Sequence, residues 1–290
     1  MKRSQRGTVW LLMTLALAVT AVTSPAHAQT ASFGGAELRS VAMEAGQIEV
    51  TVPLVINMSR NLVASPMGIP FDIYRGFTND WTFGLTHSRG TIRGVGPYGI
   101  FRPGNTPVAP DADYARGSVR GIGPFDLNQG VCVSDCPSAY TNFGFDGLYR
   151  LIGGPIQLAA HGGVDISWYS DSDLSVRLGM LGKAALGVDV ALLIDPRFGL
   201  ALHGGPNTLD FPLAVHFVTD EGVRWGFQTG IAGSLGQFPD TYDVWLGAFG
   251  SIGVNEKIEA FAAFIFTNVA GVNQGFDGRA LTLGLNIRPF

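Results

Sequence analysis

Ile156-Gln157-Leu158-Ala159-Ala160-His161-Gly162-Gly163-Val164-Asp165-Ile166-Ser167-Trp168 is the stretch on which the fold turns. In an extended chain successive side chains point to opposite sides. Ile156, Leu158, Ala160, Val164, Ile166 and Trp168 therefore share one face, while Gln157, His161, Asp165 and Ser167 share the other. The pattern recurs at 174–180, where Leu174, Val176, Leu178 and Met180 oppose Arg177, and at 223–231, where Val223, Trp225, Phe227 and Ile231 oppose Arg224, Gly226, Gln228 and Gly230. Leu186 to Ile194 continues it with Asp189 on the minority side. A soluble sandwich also alternates, so alternation alone does not decide the class. The polar faces decide it. They carry Gly and Ala with single Asp, Arg, His or Gln residues, where a water-facing sheet would carry Lys, Glu and Thr. Small residues suit the crowded, curved interior of a barrel.

Composition points the same way. Only 14% of residues are charged, against 11% aromatic residues and 40 glycines; a soluble domain carries about a quarter charged residues. Mean hydropathy is +0.23, yet the apolar residues after the N-terminus are spread in short stretches and never gathered into a helix-long span. The N-terminus reads as a secretory signal: Lys2, Arg3 and Arg6, an apolar run from Val9 to Val22, then Ala26-His27-Ala28. That run is shorter than the roughly 20 residues a membrane helix needs. The expected organisation is a signal peptide over 1–28, a periplasmic segment over 29–46 and a barrel over 47–290, with a long outer loop at 88–141. The net charge of -4 gives no reason to expect a nucleic-acid partner. Cys132 and Cys136 are expected to form a disulfide in an oxidising compartment. No third Cys or nearby His completes a metal set, and no cofactor is implied.

Turns set the topology. Gly76-Phe77-Thr78-Asn79-Asp80, Val218-Thr219-Asp220-Glu221-Gly222 and Gly253-Val254-Asn255-Glu256-Lys257 read as tight polar turns. Longer Gly/Pro/Asn segments alternate with them at 59–68, 88–141, 234–240 and 268–278. Strands are expected near 47–58, 68–76, 81–88, 142–152, 155–168, 173–182, 184–200, 209–218, 222–233, 241–252, 256–267 and 279–290, twelve in all. Asp195-Pro196 reads as a bulge or loop start, and a separate strand over Phe198 to His203 would break the even count.

The C-terminus, Leu281-Thr282-Leu283-Gly284-Leu285-Asn286-Ile287-Arg288-Pro289-Phe290, resembles the closing strand of bacterial outer-membrane barrels. It departs from them in one respect: Phe290 lies one residue out of phase with Leu281, Leu283, Leu285 and Ile287. The pieces Arg75 to Leu85, Phe145 to Gly163 and Ala280 to Phe290 look like porin-like proteins of gram-negative bacteria. The resemblance implies an all-β fold, a single closed antiparallel transmembrane β-barrel with short periplasmic turns and longer outer loops. It also implies outer-membrane lipids as surroundings and barrel assembly machinery as a partner of the C-terminal strand.

Turning the minority face inward lines the bore with Asp146, Arg150, His161, Asp165, Arg177, Asp189, His216 and Arg224, together with Glu49, Asp72, Asp243, Glu259 and Arg288. Facing lipid, each Arg near the midplane would cost about 2–4 kcal/mol, so the inward assignment is favoured. Two readings of such an interior stand: a mixed ring that orients small polar or anionic solutes, or charges that pair across and close the barrel. The repeat Ile92-Arg93-Gly94-Val95-Gly96-Pro97-Tyr98 and Val119-Arg120-Gly121-Ile122-Gly123-Pro124-Phe125 reads as a loop hairpin whose copies pair; folded into the mouth, it would set Arg93 and Arg120 at a constriction. The expected function is porin-like diffusion and not catalysis. A structural or adhesive barrel is the alternative. A hydrolase built on His161, Asp165 and Ser167 is a further one, with no nucleophile motif to support it.

Overall fold

Backbone groups facing lipid must all be satisfied within the protein, which a sheet achieves only by closing on itself. The structure, a computed structural model, describes residues 40–58, 67–87, 122–125, 142–167, 173–203, 206–219, 223–271 and 275–289. The strand segments are β1 (Ile48–Asn57), β2 (Met67–Ile69), β3 (Asp72–Gly76), β4 (Trp81–Thr86), β5 (Ile122–Phe125), β6 (Asn142–Ile152), β7 (Ile156–Ser167) and β8 (Asp173–Ala185). They continue with β9 (Val190–Ile194), β10 (Arg197–His203), β11 (Thr208–Val218), β12 (Arg224–Ser234), β13 (Asp243–Gly253), β14 (Ile258–Gly271) and β15 (Gly275–Ile287). A single turn of helix, α1 (Phe238–Thr241), sits between β12 and β13.

Neighbours pair antiparallel in chain order, and β1 closes on β15 from Val50↔Ile287 to Asn57↔Ala280. β2 and β3 pair with β1 in one register, and β9 and β10 pair with both β8 and β11 in one register. Each couple is thus one broken stave, and the ring is a closed 12-strand antiparallel barrel. Carrying the registers once around returns to β1 displaced by about 14 residues, a stagger that tilts the strands roughly 40° from the axis.

Several expectations need correction. Asp195-Pro196 is neither bulge nor loop start: the Met180 amide still donates to the Pro196 carbonyl (3.1 Å), the Asp195 amide donates to the Pro212 carbonyl (3.1 Å), and pairing continues on both sides. Pro196 removes only the reciprocal bond to Met180, so Phe198 to His203 extends the stave and the even count holds. The expected strand 184–200 instead begins at Val190, because Leu186 to Asp189 form the turn out of β8. The polar segment 268–278 is mostly strand, with β14 running to Gly271 and β15 resuming at Gly275. Ile122–Phe125 does not lie in an isolated loop; it pairs with β2 through Met67↔Phe125 and Ile69↔Ile122. The copy Ile92–Tyr98 with Arg93 lies outside the described residues, as do Arg120 of the second copy, the expected signal peptide and Cys132 and Cys136.

Candidate functional site

The two faces of the wall differ as the alternation requires. Outward side chains include Phe145, Leu178, Met180, Phe198, Phe211 and Phe227, with Phe145 58% and Phe227 54% exposed. Aromatic residues collect at the two ends of this face. Near the short turns Trp81 stacks with Phe83 (5.5 Å) and meets Tyr149 (4.6 Å), and Phe217 stacks on Trp225 (4.4 Å). Near the other end Phe143 meets Phe145 and Phe264 meets Phe266, edge to face. An apolar band between two aromatic girdles is the outer surface of a membrane barrel.

The inward residues are polar and buried. Arg177 on β8 reaches across β7 to Asp146 on β6, its Nη2 lying 3.1 and 3.2 Å from the two carboxylate oxygens. Gly163 lies between them and has no side chain to obstruct: a Cβ there would stand 1.7 Å from Asp146 Oδ1. His161 Nε2 lies 2.7 Å from Asp195 Oδ1, and Arg197 Nε donates to Asp195 Oδ2 at 2.8 Å with Nη2 on the same oxygen. A second network occupies the short-turn end. There Arg224 Nη1 donates to Glu259 Oε1 (3.3 Å), Ser251 Oγ donates to the same oxygen (2.8 Å), and Arg288 Nε donates to Glu49 Oε2 (2.7 Å). Removing charges from water is costly unless each meets a partner, and the pairing answers that cost.

Each expected lining residue can be placed. Asp146, His161, Asp165, Arg177, His216 and Arg224 are buried on the inner face, and the His216 ring lies 4.7 Å from that of Phe249. Glu49, Asp72 and Glu259 join them. Arg150 belongs to the rim, donating from Nε and Nη2 to Asp80 Oδ1 at 2.9 and 2.7 Å. Asp189 is not inside; it is exposed in the 186–189 turn. His161 is engaged by Asp195, which the weighed hydrolase set of His161, Asp165 and Ser167 did not contain.

Sequence reasoning missed part of the interior. Asp195, Arg197, Lys183 and Asp210 are buried charges on the inner face; the signal for Asp195 and Arg197 was the alternation Ala191, Leu193, Asp195, Arg197, obscured by Pro196, and for Lys183 its two-residue spacing from Arg177, Gly179 and Leu181. Trp245, Phe249, Phe261 and Ile265 also point inward. Glycines on the adjoining strand make room for the rings: a Cβ at Gly230 would meet Trp245 Cζ2 at 2.7 Å, one at Gly226 Phe249 Cζ at 2.6 Å, and one at Gly284 Phe261 Cζ at 2.3 Å. The side chains of an eight-stranded barrel just fill it, whereas twelve strands leave space that longer side chains must occupy.

The chain itself takes some of that space. The expected segment 29–46 enters the description at Ser40 and runs inside the short-turn mouth. Val41, Ala42 and Met43 are buried, and Val41 and Ala42 belong to one buried apolar cluster with Leu148, Ala159, Leu181, Ala191 and Trp245. The Val41 amide donates to Gln157 Oε1 and the Met43 amide to Thr82 Oγ1, both at 2.8 Å.

Among the described residues no group of His, Cys, Asp and Glu is arranged to hold a metal ion. No protein-family model and no curated protein matches the chain. Among solved structures it is similar to the NanC porin, with a TM-score of 0.54 and 7% identity over 82% of this chain and 98% of that one. It is also similar to the KdgM porin in complex with disordered oligogalacturonate, with a TM-score of 0.52 and 6% identity over the same shares. The chain has the fold of these porin barrels.

Proposed function

We propose that this protein is a porin-like channel of a bacterial outer membrane, passing small polar solutes, anionic ones among them, by passive diffusion through a narrow bore. The observation that carries the reading is inverted polarity. Phe145, Leu178, Phe198 and Phe227 stand on the outside while Glu49, Asp146, Arg177 and Glu259 are buried within. In water that arrangement is unfavourable on both counts. In lipid it is favourable: the outward side chains stay apolar, and closure of β1 on β15 leaves no open edge.

The interior supplies a mechanism that needs no reacting group. A solute entering the bore gives up water and exchanges hydrogen bonds with successive pairs, Arg177 with Asp146 and then Arg224 with Glu259, whose mixed charges orient it. Guanidinium groups suit this role because they present several donors in a fixed plane. β15, lying against β1 at the seam, is the strand we assign to the assembly machinery, and the outward face is assigned to outer-membrane lipids.

One observation favours a second reading, a structural or adhesive barrel without conductance. The lining charges are themselves nearly shut off from solvent, Asp146 being 3% and Arg177 4% exposed, and a paired network in a dry interior seals it. Liposome swelling separates the two. Vesicles carrying the protein with its mouth opened as described below should swell in isosmotic small sugars and sugar acids and slow as solute size rises; swelling no faster than protein-free vesicles favours the structural barrel.

A further inference from the structure

The segment Ser40–Glu44 has a different relation to the barrel from any other described stretch. Its residues Val41, Ala42 and Met43 are buried inside the bore while Glu44 is exposed, and it forms no strand there: its polar hold consists of the Val41 and Met43 amides on Gln157 and Thr82, and of Arg150 Nη1 donating to Ser40 Oγ at 2.9 Å. Arg150 also binds Asp80 at the rim, so one side chain latches the segment to the β3–β4 turn. The reversal that sends the chain inward occurs at Ala45-Gly46, where Gly46 takes a left-handed φ of 82° that favours glycine. Just beyond it the Gly46 amide donates to the Gly76 carbonyl and the Gly76 amide to the Gln47 carbonyl, which begins the β1–β3 ladder. Everything before Gly46 can leave without breaking a ladder bond of the ring.

The seat is built for this occupant. Gly76 at the end of β3 has no side chain, and a Cβ there would stand 2.0 Å from the Glu44 carbonyl oxygen and 3.0 Å from Met43 Cβ. The buried cluster that includes Val41 and Ala42 also contains the wall's alanines at 159, 191 and 214, small inward residues that leave room inside the bore. That cluster draws its other members from β6, β7, β8, β9, β11, β13 and β14.

We infer that Ser40–Glu44 is a detachable plug that holds the channel shut from its short-turn end, hinged at Gly46 and latched by Arg150. The inference rests on the channel reading, and it specifies what opens the bore. The apolar seat, two amide bonds and one rim latch are all separate from the ladders of the wall, so they can open without them. Displacement therefore opens the mouth while the barrel stays folded.

Two variants of the full chain test this, deletion of residues 40–44 and Gly76→Ala, which keeps the segment but fills its place. Both should keep the strand circular dichroism and the heat-modifiable mobility of the parent barrel. In planar bilayers the parent should show small, flickering currents and both variants a several-fold larger, steadier current. A second readout does not depend on conductance: in a chain with Cys132→Ser and Cys136→Ser, Met43→Cys should react slowly with a bilayer-impermeant maleimide, and Gly76→Ala should speed that reaction several-fold. Equal currents from parent and variants overturn the plug and leave the channel standing. Immediate labelling of Met43→Cys in the parent overturns the plug as well. No current from any of the three, with the barrels folded, overturns both readings.

Discussion

Leu178→Arg is the substitution whose outcome depends most on the surroundings of the barrel. Leu178 is 52% exposed on the outward face of β8, a strand of 13 residues. With a rise of about 3.4 Å per residue and a tilt of about 40°, such a strand climbs about 34 Å, and Leu178 lies about 13 Å from its Asp173 end, close to mid-height. An arginine near the bilayer midplane costs about 2–4 kcal/mol, and near an interface about 0–1 kcal/mol. At about 1.4 kcal/mol per decade, Leu178→Arg should lower the folding equilibrium by roughly 30-fold to nearly 1000-fold. Leu186→Arg is the control, since Leu186 is 63% exposed but sits at the 186–189 turn; it should cost tenfold at most. Urea unfolding in lipid vesicles, followed by tryptophan fluorescence, measures both. On a water-soluble barrel each exposed substitution would change stability by within about 0.5 kcal/mol. Equal midpoints for the two variants would therefore refute the placement of this face in lipid.

The inner face gives complementary expectations. Among variants retaining one tryptophan, Trp225 should be strongly quenched by brominated lipid and Trp245, which is fully buried in the bore, should not; equal quenching would mean that β13 is wrongly faced. Arg177→Met or Asp146→Leu alone should each destabilise the barrel by about 3–5 kcal/mol by leaving a buried charge unpaired, and the double variant should regain most of that loss; additive costs in a denaturation series would show that the pair does not act as a unit. Arg224→Gln removes the charge beside Glu259, so the reversal potential across a salt gradient should move toward cations. An unchanged potential would place Arg224 away from the path of the ions.

How much of this was legible in the sequence depended on contrast between faces. In β7, β8 and β12 one face is apolar and the other is Gly, Arg, His, Asp or Gln, so Leu178 and Phe227 could be set outward and His161, Arg177 and Arg224 inward from period two alone. β13 and β14 have little such contrast: Trp245, Phe249, Phe261 and Ile265 point in while Leu246, Ala248 and Phe264 point out, and the parity rests on the single charges Asp243 and Glu259 at the strand ends and not on hydrophobicity. The 186–189 turn hid for a similar reason, because Leu186 and Val188 carry the alternation through it. Asp195-Pro196 misled in the opposite direction: proline is expected at edges and bulges, but here it removes one donor while the Met180 and Asp195 amides keep the stave paired on both sides. Val41-Ala42-Met43 has no period to read, and its burial comes from the space twelve strands leave inside, a property of the closed ring and not of the segment.

A charged, polar bore enclosed by a lipid-embedded wall must carry ions across the membrane. Single-channel recording in planar bilayers under a salt gradient, with the parent and the Gly76→Ala chain side by side, tests it most directly. The account predicts discrete current steps, larger after Gly76→Ala, with a reversal potential that shifts when Arg224 is neutralised. Folded, membrane-inserted barrels that pass no current in either form would contradict it.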